Sequence, residues 1–114
     1  MKYGNQRTRV IFEGETYYFD SKHEAQRFRE LLLLVRAKAI TDLKRQVRYR
    51  LIPAQKDKHG KLLERPCDYV ADFVYIDTAT GEPVVEDAKG FRTQAYIIKR
   101  KLMLERYGIR IKEV

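Results

Sequence analysis

Residues 68–89 read DYVADFVYIDTATGEPVVEDAK. Two runs rich in valine, isoleucine and aromatic residues flank the turn sequence Thr-Ala-Thr-Gly at 78–81. Such residues favour strands, and a short connection that ends in glycine favours a hairpin. The stretch therefore predicts two antiparallel strands, Asp68–Asp77 and Pro83–Lys89.

The register of this hairpin is expected to bring two carboxylates together. If the strands are symmetric about the turn, Asp72 lies directly opposite Asp87, with Cβ atoms about 5 Å apart on one face. Lys89 projects from the same face, about 7 Å further along the strand. Two carboxylates in this position repel each other. A hard cation such as Mg²⁺, which carboxylate oxygens bind, would offset that repulsion. A neighbouring lysine can orient a water, deprotonate it or neutralise charge on a phosphate.

A second register of the hairpin is also open. If Gly81 is left-handed in a three-residue loop with a bulge, the pairing shifts by one residue and Glu86 shares the face of Asp72. Either acid could also pair with a surface lysine or arginine, as most strand carboxylates do. The symmetric register is preferred, because Lys89 then lies on the same face as Asp87.

The rest of the chain predicts an opening hairpin, two helices and two further strands. Ser21 followed by Glu24 is a capping-box pattern, and apolar residues then recur at helical spacing to near Ala39. Thr93 is expected to begin a second helix, which runs to Tyr107 and ends at Gly108. The other expected elements are the strands Arg7–Phe12, Thr16–Phe19, Gln46–Ile52 and Ile109–Val114, and an exposed basic hairpin tip within 53–66.

After the opening hairpin the predicted order is α-β-β-β-α-β, an α+β (mixed α/β) fold in which two helices flank a central mixed sheet. A chain of 114 residues fits a single domain, 1–114. Its one cysteine, Cys67, cannot form an internal disulfide, and histidines at 23 and 59 alone do not suggest a four-ligand zinc site. Because no apolar run approaches the ~20 residues of a membrane span or the core of a signal peptide, we expect an intracellular protein.

The charge of the chain indicates a polyanionic partner. Lysine and arginine number 24 against 16 aspartate and glutamate, a net charge of +8. Such side chains bind phosphates without reading sequence, although a basic run on a helix is also typical of a solvated face. The residues expected to contact DNA are Arg92, Lys99, Arg100, Lys101, Arg48 and Arg50.

The segments YVADF at 69–73 and VEDAKG at 85–90 resemble the signature of the PD-(D/E)XK nuclease superfamily. That signature is an aspartate on one strand followed, on the next strand, by an acid-X-Lys triplet; Ala71 stands where it usually has proline. With YGN at 3–5 and FDSKHEA at 19–25, most of the chain is similar to a short phage-encoded family of that superfamily, formerly of unknown function. That family is similar to phage endonucleases and Holliday-junction resolvases.

The resemblance implies a metal-dependent endodeoxyribonuclease that acts on branched or junction DNA in phage replication or recombination. Asp72 and Asp87 would bind one or two Mg²⁺ or Mn²⁺ ions, and Lys89 would take part in catalysis. Glu24 would join the site as a metal ligand, or serve only as a helix cap. Gln46 occupies a position where related nucleases often carry a glutamine near the site.

Two other functions are compatible with the sequence. A protein with a nuclease fold that binds DNA without cutting it would have the same basic surface. An interaction adaptor would use the face of Leu31–Val35 in an oligomer. The expected partners are DNA, branched or duplex, and a second copy of the chain in a homodimer, with no membrane. The phage resemblance implies the cytoplasm of the host cell.

Overall fold

The computed structural model of the chain describes residues 7–88 and 91–114. In chain order the elements are β1 (Thr8–Phe12), β2 (Glu15–Phe19), α1 (Lys22–Arg36), β3 (Ile40–Ile52), β4 (Gln55–Lys56), β5 (Leu62–Glu64), β6 (Cys67–Asp77), β7 (Pro83–Asp87), α2 (Gln94–Tyr107) and β8 (Lys112–Glu113). The predicted fold class is confirmed: it is a mixed α+β fold with a central mixed sheet, two helices and an N-terminal β-hairpin.

The central sheet has four strands in the order β3-β6-β7-β8. The first two pairings are antiparallel, and the last, between β7 and β8, is parallel. β1 with β2, and β4 with β5, form separate two-stranded sheets. In β6 every second residue is buried, namely Tyr69, Ala71, Phe73 and Tyr75, because successive side chains of a strand point to opposite faces. β6 is therefore the strand around which the core is built.

Both helices begin where the capping residues predict. The Ser21 side chain accepts a hydrogen bond from the Glu24 N–H at 3.1 Å, and the Thr93 side chain accepts one from the Tyr96 N–H at 3.1 Å. Gly108 ends α2 in the left-handed region, with φ of 68°, where glycine has no Cβ penalty. The expected end of α1 near Ala39 is wrong by about one turn, because the chain turns at Lys38, with φ of 63°.

Three strands differ from the prediction by more than one residue at a boundary. β3 begins at Ile40 and not at Gln46, and its pairing to β6 extends from Ile40. The alternating pattern does not reveal this earlier start, because it is interrupted by left-handed residues at Asp42 (φ 56°) and Gln46 (φ 53°). The last strand is only β8, Lys112–Glu113, and not Ile109–Val114. β7 ends at Asp87, and Lys89, the predicted end of that strand, lies outside the described residues.

Two apolar clusters lie along β6. One packs α1 and the N-terminal hairpin against Phe73 and Tyr75, and the other packs α2 against Tyr69 and Ala71. Asp72 lies between these two pairs of residues. The core thus fixes both helices relative to the central strand that carries this aspartate.

Within the described ranges, neither helix is long and apolar enough to cross a membrane. The expected adaptor face is partly used by the fold itself. Leu31 is fully buried in the α1 cluster, whereas Leu33 and Val35 are exposed.

Candidate metal centre

The β6–β7 hairpin has the symmetric register that the sequence predicts. Phe73 pairs with Glu86 and Val74 with Val85, so the shifted register is not formed. Asp72 and Asp87 follow these pairs at the open end of the ladder, and there the Ala88 N–H donates to Asp72 Oδ2 at 2.8 Å. The Asp72 carboxylate is therefore held against the backbone just past Asp87.

Asp87 is buried with a polar partner on the central strand. Its side chain is 1% exposed, and the Tyr69 hydroxyl donates to Asp87 Oδ2 at 2.5 Å. Burial, together with this carboxylate, raises the pKa of Tyr69 above its usual value, so the phenol remains a donor at any working pH. The hydroxyl stabilises the negative charge of Asp87 and fixes its orientation.

Glu24 is the acidic residue that α1 brings to the site. Its backbone N–H bonds Ser21, as a helix cap requires, while its carboxylate accepts a hydrogen bond from Gln46 Nε2 at 3.3 Å. Burial, and next the charge of Asp72, raises the pKa of Glu24 to about 7. Arg45, 4.0 Å away, acts in the opposite direction. The cap and the site are therefore served by different atoms of the same residue.

Gln46 of β3 contacts both the Glu24 carboxylate of α1 and the Asp72 carboxylate of β6. It lies between the paired residues Arg45 and Val47, opposite Asp72, and its φ of 53° is left-handed. Its amide nitrogen donates to Glu24 Oε2 at 3.3 Å and makes a long contact of 3.5 Å with Asp72 Oδ1. One amide group thus holds a carboxylate from α1 and one from β6 close together.

The donor atoms of Glu24, Asp72 and Asp87 are of the kind that binds a hard divalent cation. All the donor atoms are carboxylate oxygens, and the charges of Asp72 and Asp87 add to the effect of burial in raising the pKa of Glu24. Mg²⁺ typically uses one or two protein carboxylates and keeps several waters, so Glu24 and Asp72 are sufficient ligands. Within residues 7–88 and 91–114, no group of three His, Cys, Asp or Glu side chains already has the geometry to hold a metal. A third protein ligand, such as Asp87, would require side-chain movement.

Glu86, the alternative acid, has a structural role. It is 0% exposed and accepts two hydrogen bonds from Arg27 of α1, at 2.8 Å from Nε and 2.6 Å from Nη2. The Tyr75 hydroxyl also donates to it. This bidentate pair joins α1 to β7, and it leaves Asp87 as the acid of β7 on the side of Tyr69 and α2.

The arginines expected to contact DNA are paired with carboxylates on the surface. Arg48 and Arg50 of β3 both bond Asp68, with Arg48 Nη1 at 3.1 Å from its Oδ2. Arg92 and Arg100 both bond Glu113, at 2.6 Å and 3.0 Å. These guanidinium groups remain accessible to water, and exposed ion pairs contribute little to stability, so a phosphate could compete for them.

Lys99 and Lys101, the two lysines predicted to contact DNA, lie on α2. Lys101 is exposed and Lys99 is half-buried, in the turns between the caps Thr93 and Gly108. The contribution of these lysines to DNA binding stays a prediction. So does that of Lys89 to catalysis, since it lies outside the described residues.

Sequence reasoning did not assign Tyr69 and Arg27 to these networks. No partner is predicted from the sequence for either residue. The spacing of Tyr69 from Asp72 along β6 carried no signal, because its partner Asp87 comes from another strand. Arg27 could be linked to Glu86 only once the position of α1 on the sheet was known.

Comparison with curated proteins gives no match. A family profile described as "Protein of unknown function (DUF1064)" matches residues 1–113. That match takes in α1, the β6–β7 hairpin and α2, and with them every residue of the candidate centre. The chain therefore belongs to the DUF1064 family.

Proposed function

We propose that this protein is a metal-dependent DNA endonuclease of the PD-(D/E)XK type that hydrolyses phosphodiester bonds. The observation that carries the proposal is the meeting of Glu24 and Asp72 at Gln46, beside Asp87, in a chain of net charge +8. A concentration of carboxylates in a strongly basic chain suits a cation that must sit beside a scissile phosphate.

The residues of the site divide the work. Glu24 and Asp72 would hold Mg²⁺ or Mn²⁺, with Asp87 available beside them and oriented by Tyr69. A bound cation lowers the pKa of a water and neutralises charge on the phosphate. Lys89 would donate from Nζ to a phosphate oxygen, or orient the water for attack at phosphorus.

The finer parts of the proposal rest on the resemblance of YVADF and VEDAKG to the nuclease signature. Branched or junction DNA is the proposed substrate, and phage replication or recombination in the host cytoplasm is the proposed process. A homodimer would supply one site for each of two strands.

The test incubates the wild-type protein with supercoiled plasmid and with a four-way junction, in Mg²⁺, Mn²⁺ or EDTA. We expect nicking that requires the metal and is lost in Asp72→Asn and Asp87→Asn. Each change removes a charge and keeps the shape of the side chain. Glu82→Gln is the matched control, because it removes a charge from the exposed turn of the same hairpin. Full activity in either aspartate variant would overturn the site.

A second candidate function is DNA binding without cleavage. It is favoured by the net charge of +8 and by exposed arginines such as Arg48 and Arg92, which can bind phosphates whether or not the chain cuts DNA. A gel shift of both DNAs without metal-dependent nicking would support this function. If the protein neither binds nor cuts DNA, the interaction adaptor becomes the favoured function. Its exposed apolar residues on α1 are Leu33 and Val35.

A further inference from the structure

The hairpin from Gln55 to Glu64, here called the arm, is an ordered element. β4 and β5 pair, and the Asp57 N–H donates to the Lys61 carbonyl at 2.9 Å. Asp57 Oδ1 accepts two further bonds, from the N–H groups of His59 at 2.8 Å and Lys61 at 3.0 Å. Gly60 supplies the left-handed residue of the turn, with φ of +84°. The tip is therefore held in one shape by its own backbone.

The arm presents its side chains to solvent. All residues from 55 to 66 are exposed except Asp57, which is half-buried. The exposed cations of this stretch are Lys56, Lys58, Lys61 and Arg65. Leu62 and Leu63 are also open to solvent, at 47% and 61%. Since the arm buries no core residue, its contribution to the stability of the fold is small, and its exposed side chains are free to contact another molecule.

The arm follows directly after β3, the strand that carries Gln46 of the candidate centre. β3 carries Gln46 at the centre, then Arg48 and Arg50, and ends at Ile52, just before the arm. The six steps along the strand from Gln46 to Ile52 span about 20 Å. That distance corresponds to about six base pairs along a duplex, at 3.4 Å each. A two-stranded ribbon is also narrow enough to enter the major groove, which is about 12 Å wide.

We propose that the arm is a DNA-binding element whose lysines contact backbone phosphates, beginning about six base pairs from the bond that is cut. The inference rests on the proposed function. Lys56, Lys58 and Lys61 supply positive charge, while Asp57 is occupied by the tip's own N–H groups. The arm adds affinity and fixes the register of the protein on the duplex, and it takes no part in the chemical step.

The test compares two variants of equal charge. One replaces Lys56, Lys58 and Lys61 with glutamine. The matched control replaces Arg9, Arg36 and Lys38 with glutamine; these are exposed residues of β1, of the last turn of α1 and of the turn that follows it, all outside the arm. All six positions are solvent-exposed, so both proteins should fold, which circular dichroism verifies. Affinity for a 30-base-pair duplex is measured in EDTA by fluorescence anisotropy at several salt concentrations.

We expect the arm variant to bind the duplex at least tenfold more weakly than the control at low salt. Its slope of log affinity against log salt should be smaller by up to about 2.7, since each phosphate that is no longer neutralised lowers the slope by ~0.9. In a cleavage assay its KM should rise while kcat stays unchanged. On a duplex that extends only about four base pairs on either side of the cut, the two variants should behave alike.

An arm variant that matches the control on the long duplex would overturn the inference. That result is distinguishable from failure of the proposed function, in which the wild-type protein itself neither binds nor cuts DNA. If the wild-type protein binds DNA without cutting it, the affinity measurements still decide the role of the arm.

Discussion

At the scale of single residues, the neighbours Glu86 and Asp87 show how one strand serves two purposes. Glu86 accepts hydrogen bonds from Arg27 of α1 and Tyr75 of β6, whereas Asp87, at the end of β7, accepts one from Tyr69 of β6 beneath α2. The first carboxylate has a cationic partner with bidentate geometry and the second has a neutral hydroxyl.

Glu86→Gln is expected to damage the fold, because it removes the charged partner of Arg27, whose side chain is only 18% exposed. Breaking such a pair typically costs about 3 kcal/mol of the free energy of unfolding. Urea denaturation measures this cost. Asp87→Asn should change stability far less, since the amide oxygen can still accept from Tyr69. A stable Glu86→Gln protein without cleavage activity would reverse the two roles.

Glu24 makes stability depend on pH. Its pKa is about 7 in the folded chain against the usual 4.5, so the folded state keeps a proton that the unfolded state loses. Stability should fall as pH rises from 4.5 to 7, by up to about 3 kcal/mol. Glu24→Gln should remove this fall, making the variant more stable than wild type at pH 8 but equal to it at pH 4. Thermal unfolding at both pH values measures the difference.

Mg²⁺ should reverse that comparison. A cation bound by Glu24 and Asp72 stabilises the folded wild-type chain in proportion to its binding. At pH 8 we therefore expect added Mg²⁺ to raise the Tm of wild type and to have less effect on Glu24→Gln. An equal rise in both proteins would exclude Glu24 as a ligand.

Lys89 is expected to act on the reaction and not on metal binding. Lys89→Ala should leave Mg²⁺ affinity, measured by calorimetry, unchanged or slightly higher, because a positive charge is removed. Cleavage should nevertheless fall about 100-fold or more. Lys89→Arg should restore little activity, since a guanidinium stays protonated and places its charge differently. If Lys89→Arg cuts at the wild-type rate, a proton-transfer role is excluded.

At the scale of elements, α2 is tied to the edge of the sheet by a cluster around Glu113 of β8. Tyr96, Arg92 and Arg100 all donate to this carboxylate, with the Tyr96 hydroxyl at 2.7 Å. The hydrogen bonds of this cluster, with that of Arg92 first, lower the pKa of Glu113 to about 2. The predicted DNA-contacting arginines of this region therefore also hold α2 in place.

Neutralising Lys99, Arg100 and Lys101 together should flatten the salt dependence of DNA binding if α2 faces the duplex. The slope of log affinity against log salt should decrease by up to about 2.7. Anisotropy titrations from low to moderate salt measure it. Because Arg100 also bonds Glu113, a variant with only Lys99 and Lys101 changed keeps that ion pair and serves as the control. An unchanged slope in both variants would move the interface to β3 and the arm.

In the molecule as a whole, the surface cations and the carboxylates of the candidate centre are expected to have separate roles. The cations would bind DNA, and the carboxylates would bind the metal. Surface cations act on the phosphate backbone over several ångströms, whereas metal binding needs carboxylates in contact. DNA binding in EDTA should therefore persist when Asp72 and Asp87 are both changed to asparagine, with affinity equal to or above that of wild type. Gel shifts measure this. Loss of binding in that variant would mean that the carboxylates support the fold.

The features that depend on neighbours along the chain were predictable from the amino-acid sequence. The short turn at 78–81 sets the β6–β7 register, so the pairing of Phe73 with Glu86 was predictable. The caps Ser21, Thr93 and Gly108 act within a few residues of the helix ends they define. In each case the interacting groups are close in sequence, and local geometry leaves few alternatives.

Which of these groups meet depends on how the helices pack on the sheet. The packing of α1 on β6 brings Glu24 to Asp72 and Arg27 to Glu86, and these contacts join residues far apart in the chain. The left-handed Gln46 lies within β3, where an alternating pattern gives no sign of it, yet it lies between the two carboxylates. Periodicity tells which face a residue occupies within its own element, but the face it meets depends on how the whole core packs.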